Sequence, residues 1–361
     1  MPILTEPIGS IPRPAALQEG LKAFAAGAIN ATELETLSRR ALLETIRSLE
    51  DTGSPVITDG EQTKPSFATY PIQGMPHLDP NGVVIPFEDG HTRQLPRITE
   101  GPFRYRMHAV DFLNTARSLT TFPVKQAVIS ASALSLLYPA EGIAGYSREA
   151  FLKDLLDEQE KDIRACLNAG AWNVQIDFTE ARLSLKLDGS KGLLRSFIDL
   201  NNQVLSRFTE EERKRIGVHT CPGGDHDSTH SADIAYSELL PLLFGLKATN
   251  FYLQYASEKD KTEVLRVLRE SIRPGHRVFI GVIDVLDPRI ETPEEVRDLV
   301  LQAAEYIPLP QLATTDDCGF SPFADDTSTS REIAFAKIRA RVAGTRLAEQ
   351  ALAKTRLATA D

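Results

Sequence analysis

Short apolar runs alternate with longer amphipathic stretches along most of this chain, and that alternation narrows the choice of fold more than any other feature. Val56–Thr58, Pro123–Val128, Trp172–Ile176, Ile216–Val218, Asn250–Gln254, Val278–Ile283 and Gln311–Thr314 read as strands. Between them, Thr32–Leu49, Arg148–Ala169, Gly192–Phe208, Ser231–Phe244, Lys261–Ser271 and Thr292–Tyr306 space apolar residues as helices with one buried face do. Strand and helix in repeated succession predict a parallel sheet, and over 361 residues a closed (β/α)8 TIM barrel forming a single domain, residues 1–361. An open doubly wound sheet is the alternative fold, but its Gly-x-Gly-x-x-Gly turn is absent. The stretch 70–99, crowded with Pro71, Gly74, Pro76, Pro80, Gly82, Pro86 and Gly90, reads as an irregular insertion, a loop or small hairpin near the active face. A last amphipathic helix is expected over Thr329–Ala353.

Charge and cysteine content restrict the function classes. A net charge of −10 argues against nucleic acid and against anionic membranes, both of which need concentrated positive charge on the protein. The N-terminus lacks a basic start followed by an apolar run, and no stretch approaches the apolar length that crosses a bilayer, so the expected compartment is the cytoplasm. Three cysteines are too few for a disulfide framework. Cys166 sits in a helical pattern, Ile163 to Leu167, and reads as buried filler. Cys221 and Cys318 are different, because each lies in a polar, glycine-flanked stretch just beyond an expected strand. His219 and Cys221 follow an apolar run in an x-His-x-Cys order that places both side chains on one side of a strand end. One further thiolate would give a metal three protein ligands and leave a position open, the arrangement of catalytic zinc.

Several separate stretches together resemble one family, the catalytic barrel of cobalamin-independent methionine synthase and its thiol-alkylating relatives. The resemblance runs through Ile8-Gly9-Ser10-Ile11-Pro12, Asp59-Gly60-Glu61, Gln175-Ile176-Asp177, His219-Thr220-Cys221, Gly281-Val282-Ile283-Asp284 and Asp316-Asp317-Cys318-Gly319, in an order that covers nearly the whole chain. It implies a Zn2+ ion held by His219, Cys221 and Cys318, an amino-acid acceptor held by Ser10, Glu61 and Asp177, and transfer of a methyl or alkyl group to a thiol, most like homocysteine to methionine. The implied partners are a homocysteine-like thiol and a methyl donor, folate or corrinoid. The length matches the catalytic half alone, a stand-alone short form.

The departures from the family bear on its substrates. The family's glutamate ligand is replaced by Gln254, with Glu258 four residues on, so the fourth ligand is open among Gln254, Glu258 and the substrate. Leu286 stands where the family carries a histidine for proton transfer. The family's pterin-stacking tryptophan is missing after Pro123-Val124-Lys125; Trp172 reads as core, and stacking is assigned to Phe178 or Tyr138. The loop Pro222–His230 is longer and more polar than the family's: His226 and His230 offer acid–base groups, while Ser228, Thr229 or Ser231 would cap the next helix. Two other readings therefore accompany the first. One is a superfamily enzyme using another thiol or donor; the cofactor-free decarboxylases sharing the barrel fit His219 and Cys221 poorly. The other is a zinc- or amino-acid-binding homologue without turnover.

Overall fold

A computed structural model describes residues 2–358; the expected extent 1–361 also takes in Met1 and residues 359–361, which lie outside the described residues. Seven parallel strands form the central sheet: β1 (Leu4–Thr5), β2 (Gln126–Ile129), β3 (Val174–Asp177), β4 (Ile216–Thr220), β5 (Asn250–Leu253), β6 (Arg277–Gly281) and β7 (Leu312–Thr315). Their order is β1-β7-β6-β5-β4-β3-β2, so successive strands are neighbours and β7 returns to β1. The remaining stave is the segment at Ile57. It pairs with Val124 through an isolated parallel bridge, and its other side meets the chain after β1 by Thr58 Oγ1 donating to the Gly9 carbonyl (2.8 Å) and Ile11 N to Gly60 O (3.0 Å). The ring is a TIM-like barrel with one seam.

Two differences from the sequence reading concern that seam. Val56–Thr58 forms a single bridge rather than a strand, and the two-residue strand β1 has no counterpart among the expected runs. The helices fall where periodicity puts them, and local chemistry sets their starts. Asn30 caps Ala31–Glu50 in a reciprocal box with Glu33, and Thr292 does the same for Pro293–Ala304 with Glu295. The exception is Ser231–Phe244, observed as Tyr236–Leu243 because residues 222–235 are used otherwise.

Strand alternation divides the core. Outward residues such as Ile176, Val218, Phe251 and Leu253 join the helices in the large cluster that also buries Cys166, while Ile8, Tyr252, Phe279 and Ala313 form a separate apolar cluster inside the ring. Trp172, expected in the core, is 43% exposed at the start of β3, although its indole Nε1 donates to Glu6 Oε1 at 2.8 Å. Among the described residues no helix is long and apolar enough to cross a membrane.

Candidate functional site

All barrel strands point the same way, so the segments after them gather at one mouth. On β3 the outward Ile176 leaves Gln175 and Asp177 facing in; on β4 the outward Val218 leaves Gly217 and His219 facing in. Gly217 is required there, because a Cβ would lie 2.5 Å from the Tyr252 ring. Cys221 follows the end of β4 and Cys318 follows β7. Their sulfurs are 3.0 Å apart, and the ligating atoms of His219, Cys221 and Cys318 all lie within 4.8 Å of one another.

The state of His219 tests whether this cluster suits a metal. Its Nδ1 lies 3.3 Å from the carbonyl of Tyr252, so the tautomer that donates there leaves Nε2 as a lone pair. That Nε2 is buried and has no hydrogen-bond partner among the described residues. An unpartnered buried acceptor is costly unless something electrophilic occupies the space before it. One imidazole nitrogen and two sulfurs are a donor set that zinc accepts. The thiols are not equivalent: the hydrogen bond from Cys221, helped by His219, holds Cys318 well below the ordinary thiol value, and Cys221 is pushed up in turn.

Ser10, Glu61, Asp177, His219 and Cys318 line one cavity, with Cys221 fully buried. Ser10 arrives from the chain after β1, where its Oγ accepts from Ser321 N at 3.1 Å. The approach is so close that a Cβ on Gly319 would sit 2.2 Å from that oxygen. Glu61 has a left-handed backbone (φ 55°), and its carboxylate pairs with buried Lys64 at 3.2 Å. Burial raises the Glu61 carboxyl, with Lys64 opposing. Asp177 accepts from Gln175 Nε2 at 2.7 Å; burial, opposed by nearby His219 and reinforced by Glu61, pushes it up to about 7. Two crowded carboxyls and a hydroxyl at the mouth of a barrel can receive an ammonium.

The positions offered for a fourth ligand are otherwise engaged. Arg182 binds Glu258 at 2.7 Å and Gln254 Oε1 at 3.3 Å, and Gln254 Nε2 donates to Ser257. Asp317, next to Cys318, holds the same turn by accepting from the backbone N–H groups of Tyr255, Ala256 and Ser257.

The polar loop after Cys221 forms a hairpin, Gly224–Asp225 against Ser228–Thr229, in place of a helix cap. His226 and Asp227 at its tip both have positive φ, as a tight two-residue turn requires. His226 points outward, whereas His230 is buried against the cavity. Ser231 Oγ gives its proton to the Pro222 carbonyl, so it accepts from His230 Nδ1 at 2.9 Å and fixes that tautomer. Burial, with Lys186 and Arg182 nearby, lowers His230 to about 4.

The 70–99 insertion contains the small hairpins Val84–Pro86 with Thr92–Gln94 and Leu78–Asp79 with Arg97–Ile98, and it roofs the cavity. Arg93 fastens it by pairing with Asp225 and Asp325 while stacking over Phe323 (4.1 Å). The cavity's aromatic wall is accordingly Phe67, Phe87 and Phe323; Phe178 is core and Tyr138 bonds to the Tyr146 carbonyl. A wider chamber adjoins, sharing Phe67, Ile85, Arg93, Thr179, His230 and Phe323 and adding Glu180 with Leu95, Ile129, Leu134 and Leu183. Apart from His230, these residues carry no signal in the sequence reading; the one usable signal for Glu180 is an acid one turn beyond Asp177.

Comparison with known proteins agrees with this architecture. The chain is 23% identical over 356 residues to the uncharacterized protein YxjH of Bacillus subtilis, covering 94% of this chain and 92% of that one. It is 23% identical over 345 residues to a methionine synthase of Pyrococcus furiosus, covering 94% and 90%. The structure of a B12-independent methionine synthase from Shewanella sp. W3-18-1 in complex with selenomethionine superposes with a TM-score of 0.76 at 21% identity, over 98% of this chain and all of that one. The family profile described as "Cobalamin-independent synthase, Catalytic domain" matches residues 3–340, and the chain belongs to that family.

Proposed function

We propose that this protein is a zinc-dependent transferase that moves a methyl or alkyl group onto a substrate thiol, most like homocysteine to methionine, and that it acts as one catalytic unit. The unpartnered Nε2 of His219 facing Cys221 and Cys318 carries the reading. When bound, zinc supplies a Lewis acid that keeps a thiol ionised near neutral pH. The chain's own residues do the rest. Glu61 and Asp177 accept hydrogen bonds from the acceptor's ammonium, and Ser10 adds a hydroxyl at the opposite bank. Roofing by the insertion and by Phe67, Phe87 and Phe323 excludes water, which strengthens those contacts. The adjoining chamber takes the alkyl donor, with the Glu180 carboxyl in its wall. A relative named 5-methyltetrahydropteroyltriglutamate–homocysteine methyltransferase supports homocysteine as acceptor and a folate-type donor. A second reading keeps the chemistry and changes the donor or the thiol; Leu286, 3.7 Å from a Cβ built on Gly224, favours it by putting an apolar side chain where the family has a proton carrier.

Elemental analysis of the purified chain is expected to find about one zinc per protein, lost in Cys221→Ser and Cys318→Ser. Mass spectrometry with homocysteine and a panel of methyl-folates and methyl-corrinoids should then detect methionine. Unchanged metal content in both variants overturns the zinc reading. Zinc without homocysteine binding overturns the acceptor.

A further inference from the structure

Beneath the site, inside the barrel, Lys125 is fully buried just before β2. Its Nζ stands 4.0 Å over the ring of Tyr252 and 3.8 Å from Glu6 Oε2. Glu6 accepts from Tyr252 OH (2.6 Å) and Trp172 Nε1 (2.8 Å), and at 3.8 Å it pairs with Lys125 by charge without a hydrogen bond. The short hydrogen bond from Lys125 goes upward instead, to Gln175 Oε1 at 2.8 Å, and Gln175 Nε2 donates in turn to Asp177 Oδ1 at 2.7 Å. This direction is forced. An ammonium has donors only, so the oxygen end of the Gln175 amide must face Lys125 and its nitrogen end must face Asp177. Without that constraint the amide can turn over and set its oxygen against the carboxylate, lone pair against lone pair. Gln175 and Asp177 both line the cavity, while Lys125 lies one step behind them.

We propose that Lys125 is a positioning residue for the amino-acid pocket, orienting the Gln175 amide so that it donates to Asp177 and holds that carboxylate ready for the substrate ammonium. The inference rests on Asp177 as an ammonium partner.

The test compares two thiols on the zinc-loaded full chain by titration calorimetry: L-homocysteine, and 4-mercaptobutyrate, which lacks the amine. Lys125→Met keeps the apolar stem and removes the donors. It is expected to weaken L-homocysteine about tenfold, as loss of a hydrogen bond to a charged group does, and to leave 4-mercaptobutyrate and zinc content unchanged. Gln175→Leu should give the same selective loss, and the double variant should be no worse than either single one. If Lys125→Met does not fold, Lys125→Gln, which removes the ammonium and can offer Gln175 either end of its own amide, takes its place in the same comparison. Homocysteine affinity within about twofold of wild type, or equal weakening of both thiols, overturns the proposal. Wild-type protein that binds the two thiols equally overturns the ammonium pocket itself, a separate result.

Discussion

Replacing Glu180 with glutamine should change how stability depends on pH, and the size of the change follows from the carboxyl's surroundings. Glu180 begins the helix Glu180–Leu187 and is 6% exposed. Ser130 and Ser132 both donate to its Oε1, but Oε2 is buried without a partner. Burial outweighs the two hydroxyls and raises the group from 4.5 to about 7. The folded chain thus retains a proton that the unfolded chain gives up between these values, so raising the pH through that window draws the equilibrium toward the unfolded state. At about 1.4 kcal/mol per pH unit, the stability lost to this one group as the pH rises from 4.5 through 7 is about 3 kcal/mol, and the loss levels off about one unit above 7. Glu180→Gln stays neutral throughout and still offers Oε1 to both serines. Urea unfolding of the two proteins should therefore give a stability difference that moves by about 3 kcal/mol in favour of the variant between pH 4.5 and pH 7.5. A difference constant to within about 0.5 kcal/mol would refute a protonated Glu180.

Two further substitutions probe the site's frame. Gly223 has φ 71°, and a Cβ there would lie 1.8 Å from His230 Nε2, so Gly223→Ala should cost about 2–4 kcal/mol in thermal or urea unfolding; a cost below about 1 kcal/mol would show that the loop and His230 move aside freely. Glu258→Gln should leave zinc content unchanged while destabilising the fold by about 3 kcal/mol, because the buried Arg182 charge loses its carboxylate and keeps only neutral acceptors; loss of zinc in that variant would make Glu258 a ligand after all.

The barrel was legible because its strands and helices carry different periods, and the candidate metal trio because His219 lies near the end of β4 while Cys221 and Cys318 follow strand ends. Strand β1 escaped because two residues cannot show a period. The Pro222–His230 loop was misread since serines and threonines serve equally in helix caps and in hairpins, and only the positive φ of His226 and Asp227 decides between them. Pairings such as Arg182 with Glu258, or Arg93 with Asp225 and Asp325, join residues far apart in sequence and leave no local trace. The aromatic wall is not at Phe178 or Tyr138, where the sequence places it. It lies on the insertion and on the segments after Glu61 and Cys318.

The seam of the barrel gives the site a mechanical character. Ser10 stands on one bank and Glu61 on the other, and the banks are joined by a few hydrogen bonds rather than by a ladder. A ligand that touches both is a rivet across the weakest joint of the ring. Its binding energy adds to the stability of the closed cylinder, and exchange of the Ile11 amide, which donates across the seam, should slow in step with ligand occupancy.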